Sequence, residues 1–317
     1  VQYYNASGTS ARTWNVASTA TLTANWSSVA ITLPSATRAG YKFNGWYSAT
    51  SGGTKIGNAG ATYTPSAGTT LYAQWTPISY TIKFDSNGGT GTMASMSMTY
   101  GTAKNLTANV FTNNGYNFGG WSCSNGSSYT NQQSVSNLTT TDGATVTMSA
   151  KWNPNTYYVT YNAGGGSNIP AKQSFKFNSG DKISTTVPTR TGYSFVKWVS
   201  DPNSVDFAPG ATIPNGWGSF SLNPQWKANT YTISYNANGG SGAPSAQTKT
   251  HDVALTLSTT KPTRTGYTFQ GWSTSSTATT ATYTAGASYT GNATATLYAV
   301  WKAATYTVSY NANGGSG

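Results

Sequence analysis

Gly266-Tyr267-Thr268-Phe269-Gln270-Gly271-Trp272 decides how this chain is read, because the string does not stand alone. Gly-Tyr-x-Phe recurs at Gly40-Tyr41-Lys42-Phe43, Gly115-Tyr116-Asn117-Phe118 and Gly192-Tyr193-Ser194-Phe195, in steps of 75, 77 and 74 residues. Three residues after each phenylalanine comes a tryptophan: Trp46, Trp121, Trp198 and Trp272. A glycine precedes that tryptophan in three copies, and Lys197 takes its place in the third. Self-similarity at a fixed period is the signature of a tandem array of small units.

Working forward from that string, each unit closes on a second tryptophan after an alternating stretch. The closing strings end at Trp75, Trp152, Trp226 and Trp301, which follow the first tryptophan by 29, 31, 28 and 29 residues. With Trp26 counted as a closing residue, only Trp14 and Trp217 of the 11 tryptophans fall outside the two slots, so tryptophan belongs to the framework. Working backward, full units open on Tyr80-Thr-Ile-Lys-Phe, Tyr157-Tyr-Val-Thr-Tyr and Tyr231-Thr-Ile-Ser-Tyr, each running into an Asn/Gly turn. Apolar residues at every second position mark half-buried strands, and the Asn and Gly residues tolerate the positive φ of tight loops.

The units are therefore residues 76–152, 153–226 and 227–301, preceded by a shortened unit 27–75 and a partial back half 1–26. Residues 302–317 form an isolated opening strand. Joints of a few residues, such as Thr76-Pro77-Ile78, restrict bending and favour an extended rod. The repeated Tyr41, Phe43, Trp46 and Trp75 are expected to build one small core. So are Tyr116, Phe118, Trp121 and Trp152; Tyr193, Phe195, Trp198 and Trp226; and Tyr267, Phe269, Trp272 and Trp301. Outward-facing tyrosines remain as candidates for contacts with other subunits or a glycan.

Composition supports an all-β reading. Thr, Tyr, Trp, Phe and Val suit a pleated surface, there is no glutamate, and charged residues make up only 7% of the chain. Aromatics at 14% argue against disorder. The net charge of +11 comes from basic residues scattered singly, which argues against a nucleic-acid stripe and for attraction to anionic wall polymers or mucins. Cys123 is the only cysteine, so no disulfide closes within the chain. No segment reaches the ~18 apolar residues of a membrane span. A secretion signal and any anchor are expected to have been removed or to lie outside this sequence.

Tyr-x-(Val/Ile)-x-(Tyr/Phe)-(Asn/Asp)-x-x-Gly-Gly, then Thr-Arg-Thr-Gly-Tyr-x-Phe-x-Gly-Trp as at residues 263–272, then Leu-Tyr-Ala-x-Trp, resembles the Listeria–Bacteroides repeat. The resemblance implies β-grasp-like domains with the helix shortened or lost, on an exported bacterial surface protein such as a stalk or adhesin, without catalytic residues. Lys197 and Asn223-Pro224 depart from the pattern, which leaves the local turn and edge pairing of that unit open but not its membership.

Chemistry finds little purchase. His251 is the only histidine and has no triad partners by pattern; the six aspartates are dispersed, with Asp201 and Asp206 alone as a weak calcium candidate. The glycine turns lack the Lys-Ser/Thr of a phosphate-binding loop. A Lys–Asn crosslink needs a neighbouring carboxyl, and Lys83 beside Asp85 is the one opening-strand pair of that kind. No cofactor is expected, and the chain is expected not to be an enzyme. The C-terminal Tyr306, Val308 and Tyr310 alternate as an opening strand with no unit to follow, and a lone strand frays unless paired. It is expected to complete a sheet in another copy, giving a head-to-tail homopolymer, or to pair within a longer array. The function expected is a structural subunit of an extracellular bacterial fibre. Repeats of an adhesin that bind glycans, anionic surfaces or other cell-surface components are the alternative.

Overall fold

The computed structural model describes residues 28–316; the partial repeat 1–26, with Trp14 and Trp26, lies outside the described residues. Every regular element among them is a strand. Contacts divide the chain into two compact units, one of Val1–Asn114 with Phe118–Trp152 and one of Gly115–Asn117 with Asn153–Gly317.

In the first unit, strands Tyr41–Tyr47, Lys55–Gly57 and Tyr72–Pro77 make a three-stranded sheet. The next repeat contributes a five-stranded sheet in the order Ser128–Tyr129, Tyr116–Cys123, Thr145–Pro154, Ser79–Asp85, Met96–Thr99. The opening strand Ser79–Asp85 and closing strand Thr145–Pro154 lie parallel, with Thr81 opposite Thr145. Both alternate: Tyr80, Ile82 and Phe84 on one, Val146, Met148 and Ala150 on the other, are buried on a common face. Hydrophobic alternation had fixed which side chains face inward, but it carries no information on strand direction.

The second unit repeats this plan twice. Thr156–Tyr161 runs parallel to Phe220–Ala228, and Thr230–Asn236 runs parallel to Ala295–Ala303. The opening strands pair antiparallel with Gln173–Lys176 and Gln247–Thr250, and the closing strands with Tyr193–Asp201 and Tyr267–Ser273. In the repeats 76–152 and 227–301 a second layer covers the buried face. Leu106 and Val135, beside the short ladder of Lys104–Asn105 with Ser134–Val135, pack with Trp121; Leu257 and Tyr289 pack likewise with Trp272.

The Gly-Tyr-x-Phe strand is bulged wherever it meets the closing strand in a described register, between Phe43 and Gly45, Phe195 and Lys197, and Phe269 and Gly271. Gly45, Gly120 and Gly271 hold φ of +117°, +112° and +143°. A Cβ there would meet the carbonyl oxygens of Gly57, Tyr129 and Tyr283 at 2.6, 2.6 and 2.4 Å, so the returning chain occupies the space a side chain would need. Lys197 is accommodated differently. It has no positive φ, and its ammonium pairs with Asp206 on the returning strand Asp206–Phe207. The ladder of this unit runs from Tyr193 to Asp201 with its register shift between Phe195 and Lys197, and Pro224 stands opposite Trp198.

Candidate functional site

Three of the four first-slot tryptophans, Trp121, Trp198 and Trp272, are fully buried, while Trp46 is half-buried with its indole N–H on the Pro34 carbonyl at 2.8 Å. The closing residues Trp75, Trp152, Trp226 and Trp301 are half-buried. Between each pair lies the phenylalanine of the recurrent string. Phe43 is 5.6 and 5.3 Å from Trp46 and Trp75, Phe118 4.9 and 5.8 Å from Trp121 and Trp152. Phe195 stands 5.3 and 5.8 Å from its two tryptophans, and Phe269 5.0 and 5.8 Å from Trp272 and Trp301. The spacing in sequence becomes a Trp-Phe-Trp sandwich of edge-to-face and tilted rings in every repeat.

The glycine turns serve that sandwich. A Cβ on Gly89, Gly166 or Gly240 would stand 2.6 to 2.7 Å from Cζ2 of Trp152, Trp226 or Trp301. Trp152 donates to the Ser86 carbonyl at 2.9 Å and Trp301 to Ala237 at 3.0 Å, so the turn is a seat for the closing indole.

A second recurrent arrangement joins one repeat to the next, and sequence reasoning missed it. In the first unit, the Gly40 carbonyl accepts the Ile78 N–H at 3.0 Å, and the Ile78 carbonyl accepts the Tyr100 N–H at 3.0 Å. The Tyr100 ring lies on Gly40, where a Cβ would fall 2.3 Å from it, and edge-on to Tyr41 at 5.6 Å. Within the second unit the same set appears as Gly192, Asn229 and His251, with hydrogen bonds of 2.9 and 2.9 Å and the imidazole 5.3 Å from Tyr193. It appears again in that unit as Gly115, Asn155 and Phe177, the ring 5.4 Å from Tyr116. The glycines all have positive φ, from +76° to +80°. Each is a bare shelf under an aromatic lid. His251, which no catalytic grouping claims, is one of the lids; its Nδ1 is 3.0 Å from the Tyr231 hydroxyl.

Gly266 repeats the shelf, at φ +75°, with Ala304 N–H on its carbonyl at 2.9 Å. Among the described residues nothing beyond its chain neighbours lies within 4 Å of where its Cβ would be, and Tyr267 is 41% exposed. Arg264 covers the other face of Tyr267 at 3.9 Å, as Arg38 and Arg190 cover Tyr41 and Tyr193.

Polar contacts reinforce the first joint. Lys42 and Asp142 pair at 2.5 Å, and the Asp142 carboxylate, which also accepts the Ser79 N–H, is held below its ordinary range by the Lys42 hydrogen bond first and Ser79 second. Among the described residues no three His, Cys, Asp or Glu side chains converge as metal ligands. Tyr306, Val308 and Tyr310 are 78%, 68% and 93% exposed, and among the described residues residues 304–312 pair with no strand. The turn behind them nevertheless closes locally, with Gly315 N–H on the Ala312 carbonyl at 2.8 Å and Asn313 at φ +42°.

These features define a class, the all-β tandem repeat protein whose units share one aromatic sandwich and one glycine joint. The particular family follows from its sequence profile, the Listeria-Bacteroides repeat domain, which matches four times, over residues 3–74, 80–151, 157–214 and 231–300. The chain belongs to that family. Its first match spans the partial and shortened segments together. Two curated relatives come from Evansella cellulosilytica. A "Putative Gly-rich membrane protein" is 30% identical over 87% of this chain and 31% of its own length. A "Putative membrane protein" is 30% identical over 73% of this chain and 34% of its own length. The chain thus spans about a third of each relative.

Proposed function

We propose that this chain is a structural segment of a bacterial surface protein, a row of β-grasp-like repeats that forms part of an extracellular fibre or pilus-like filament and catalyses nothing. The family and the names of the longer relatives support surface association. The parallel pairing of first and last long strands at the sheet centre, with a small second layer opposite, supports the β-grasp-like description. The observation that carries the structural role is the recurrent joint. Shelf, lid and two backbone hydrogen bonds recur at Gly40, Gly115 and Gly192, so the surface is spent on holding repeats to repeats. Short joints of this kind favour a rod.

Head-to-tail growth by strand addition is part of this proposal. Tyr306, Val308 and Tyr310 alternate along the sequence and are exposed, a pattern suited to pairing with a sheet of another copy of the chain. Electron microscopy of the purified chain and of a variant lacking residues 305–317 tests it. Filaments from the parent and none from the truncated chain are expected; filaments that persist after truncation would refute strand addition.

One observation favours an adhesive reading. Tyr158 is 42% exposed, with Lys172 Nζ 4.2 Å from its ring, at a cleft of about 270 Å³ also lined by Thr160, Asp201 and Ser219. An exposed ring flanked by a cation, a carboxylate and hydroxyls suits a sugar face and its hydroxyls. A glycan array probed with the chain and with Tyr158→Ala decides this; signals that the substitution leaves unchanged would remove the site.

A further inference from the structure

The second strand of the last repeat breaks the rule its sisters keep. Opposite the first tyrosine of each opening strand stands one inward-facing residue: Met98 opposite Tyr80, Phe175 opposite Tyr157, and Lys249 opposite Tyr231. All three are buried, at 0%, 4% and 1% exposure. Burying an amine at an apolar position is costly unless something compensates, and no carboxylate lies within ion-pairing distance of Lys249 among the described residues.

What Lys249 meets is a carboxamide. Its Nζ donates to Asn292 Oδ1 at 2.9 Å and to the Thr250 carbonyl at 2.7 Å. Asn292 Oδ1 also accepts the Asp252 N–H at 3.1 Å, and Asn292 Nδ2 donates to Asp252 Oδ1 at 2.8 Å. The remaining carboxylate oxygen, Oδ2, is 3.5 Å from His251 Nε2. An asparagine capping this turn is not unusual in itself, since Asn137 accepts the Gly101 N–H at 2.6 Å in an earlier repeat. That repeat has Met98 in the lysine's slot, so its asparagine meets no amine.

We infer that Lys249 and Asn292 form an intramolecular isopeptide bond, with Asp252 as the proton-transfer residue. The amine sheds its extra proton to solvent and Nζ attacks Cγ of Asn292. The developing oxyanion forms on Oδ1, which already accepts the Asp252 N–H at 3.1 Å. Formation of the Nζ–Cγ bond brings Nζ beside Nδ2, which already meets Asp252 Oδ1 at 2.8 Å; a further amine proton then passes by way of that carboxylate to Nδ2, the Cγ–Nδ2 bond breaks, and ammonia leaves. No oxidant, reductant or co-reactant is needed. The bond would tie the edge strand Gln247–Thr250 to the segment leading into the closing strand, which constrains the unfolded chain as a disulfide does in a chain that has only Cys123.

The test is mass spectrometry of the full chain. The intact mass is expected to be lower than the sequence mass by one ammonia, and proteolysis to yield a branched peptide joining Lys249 to Asn292. Lys249→Met, which installs the residue of the sister repeat, is expected to fold and to recover the ammonia. Asp252→Asn keeps the backbone donor and a residue tolerant of φ +56°, and is expected to lose the crosslink or slow it by at least about tenfold. A linear Lys249 peptide in the parent overturns the proposal. So does a mass deficit that survives Lys249→Met, because Asn-Gly pairs lose ammonia by closing on their own backbone. Crosslinking of Asp252→Asn at the parent rate overturns the role given to the carboxylate.

Discussion

At the scale of single residues, two glycines of nearly equal φ separate backbone strain from steric exclusion. Gly216 has φ +81° with nothing among the described residues beyond its chain neighbours within 4 Å of its Cβ position, whereas Gly192 has φ +76° with the His251 ring 2.0 Å from it. Gly216→Ala should therefore cost only the left-handed strain, about 1 to 2 kcal/mol. Gly192→Ala must add displacement of the lid and should cost clearly more, read from the denaturation midpoints of both variants. Equal costs would mean that the imidazole rides freely above the shelf. The glycines were legible in the sequence, since they recur in fixed strings. The lids were not, because Tyr100, Phe177 and His251 share no residue type; only alignment on the buried Leu106, Ile183 and Leu257, each six residues on, brings them into one slot. Lys249 escaped for the same reason, its sister positions being Met98 and Phe175.

At the scale of the element, the opening strand shows how one position can be satisfied in two ways. Phe84 fills it with a ring alone, while Tyr161 and Tyr235 bring part-buried hydroxyls that find partners. Tyr161 donates to Gln173 Oε1 at 3.0 Å and accepts the Ser184 N–H at 2.7 Å. Tyr235 does the same with Gln247 and Ser258, but there the Ser258 N–H also reaches Gln247 Oε1 at 3.0 Å. Tyr161→Phe leaves two polar groups without partners and should cost about 1 to 3 kcal/mol. Tyr235→Phe should cost less, because Gln247 keeps the amide proton; thermal melts of the two variants compare them. Both hydroxyls are also pushed above the ordinary tyrosine range, burial being the larger cause and the serine N–H opposing it. A raised folded value means their contribution is complete below the unfolded value of about 10 and is lost as pH rises through the folded one. Stability should thus fall with pH above about 10, and less steeply in the double phenylalanine variant. Strand identity and the inward face were readable from alternation, but the parallel pairing of first and last strands was not, since a period of two is the same in either direction.

At the scale of the whole molecule, stability in a repeat chain is a sum of unit terms and nearest-neighbour terms, and the joint is the structural form of the latter. Within the second unit, His251 gives this coupling two parts, the ring on Gly192 and the edge-on contact with Tyr193, while its bond to the Tyr231 hydroxyl seats the lid in its own repeat. The backbone pair around Asn229 does not depend on the side chain. His251→Ala should then leave each repeat folded while weakening the link between them. In calorimetry the transition of this unit should broaden or divide, so that the van't Hoff enthalpy falls below the calorimetric one. His251→Phe installs the lid that Phe177 supplies elsewhere and should preserve a single sharp transition. If the alanine variant merely melts lower without broadening, the lid contributes to one repeat's core and the coupling resides in the backbone hydrogen bonds alone.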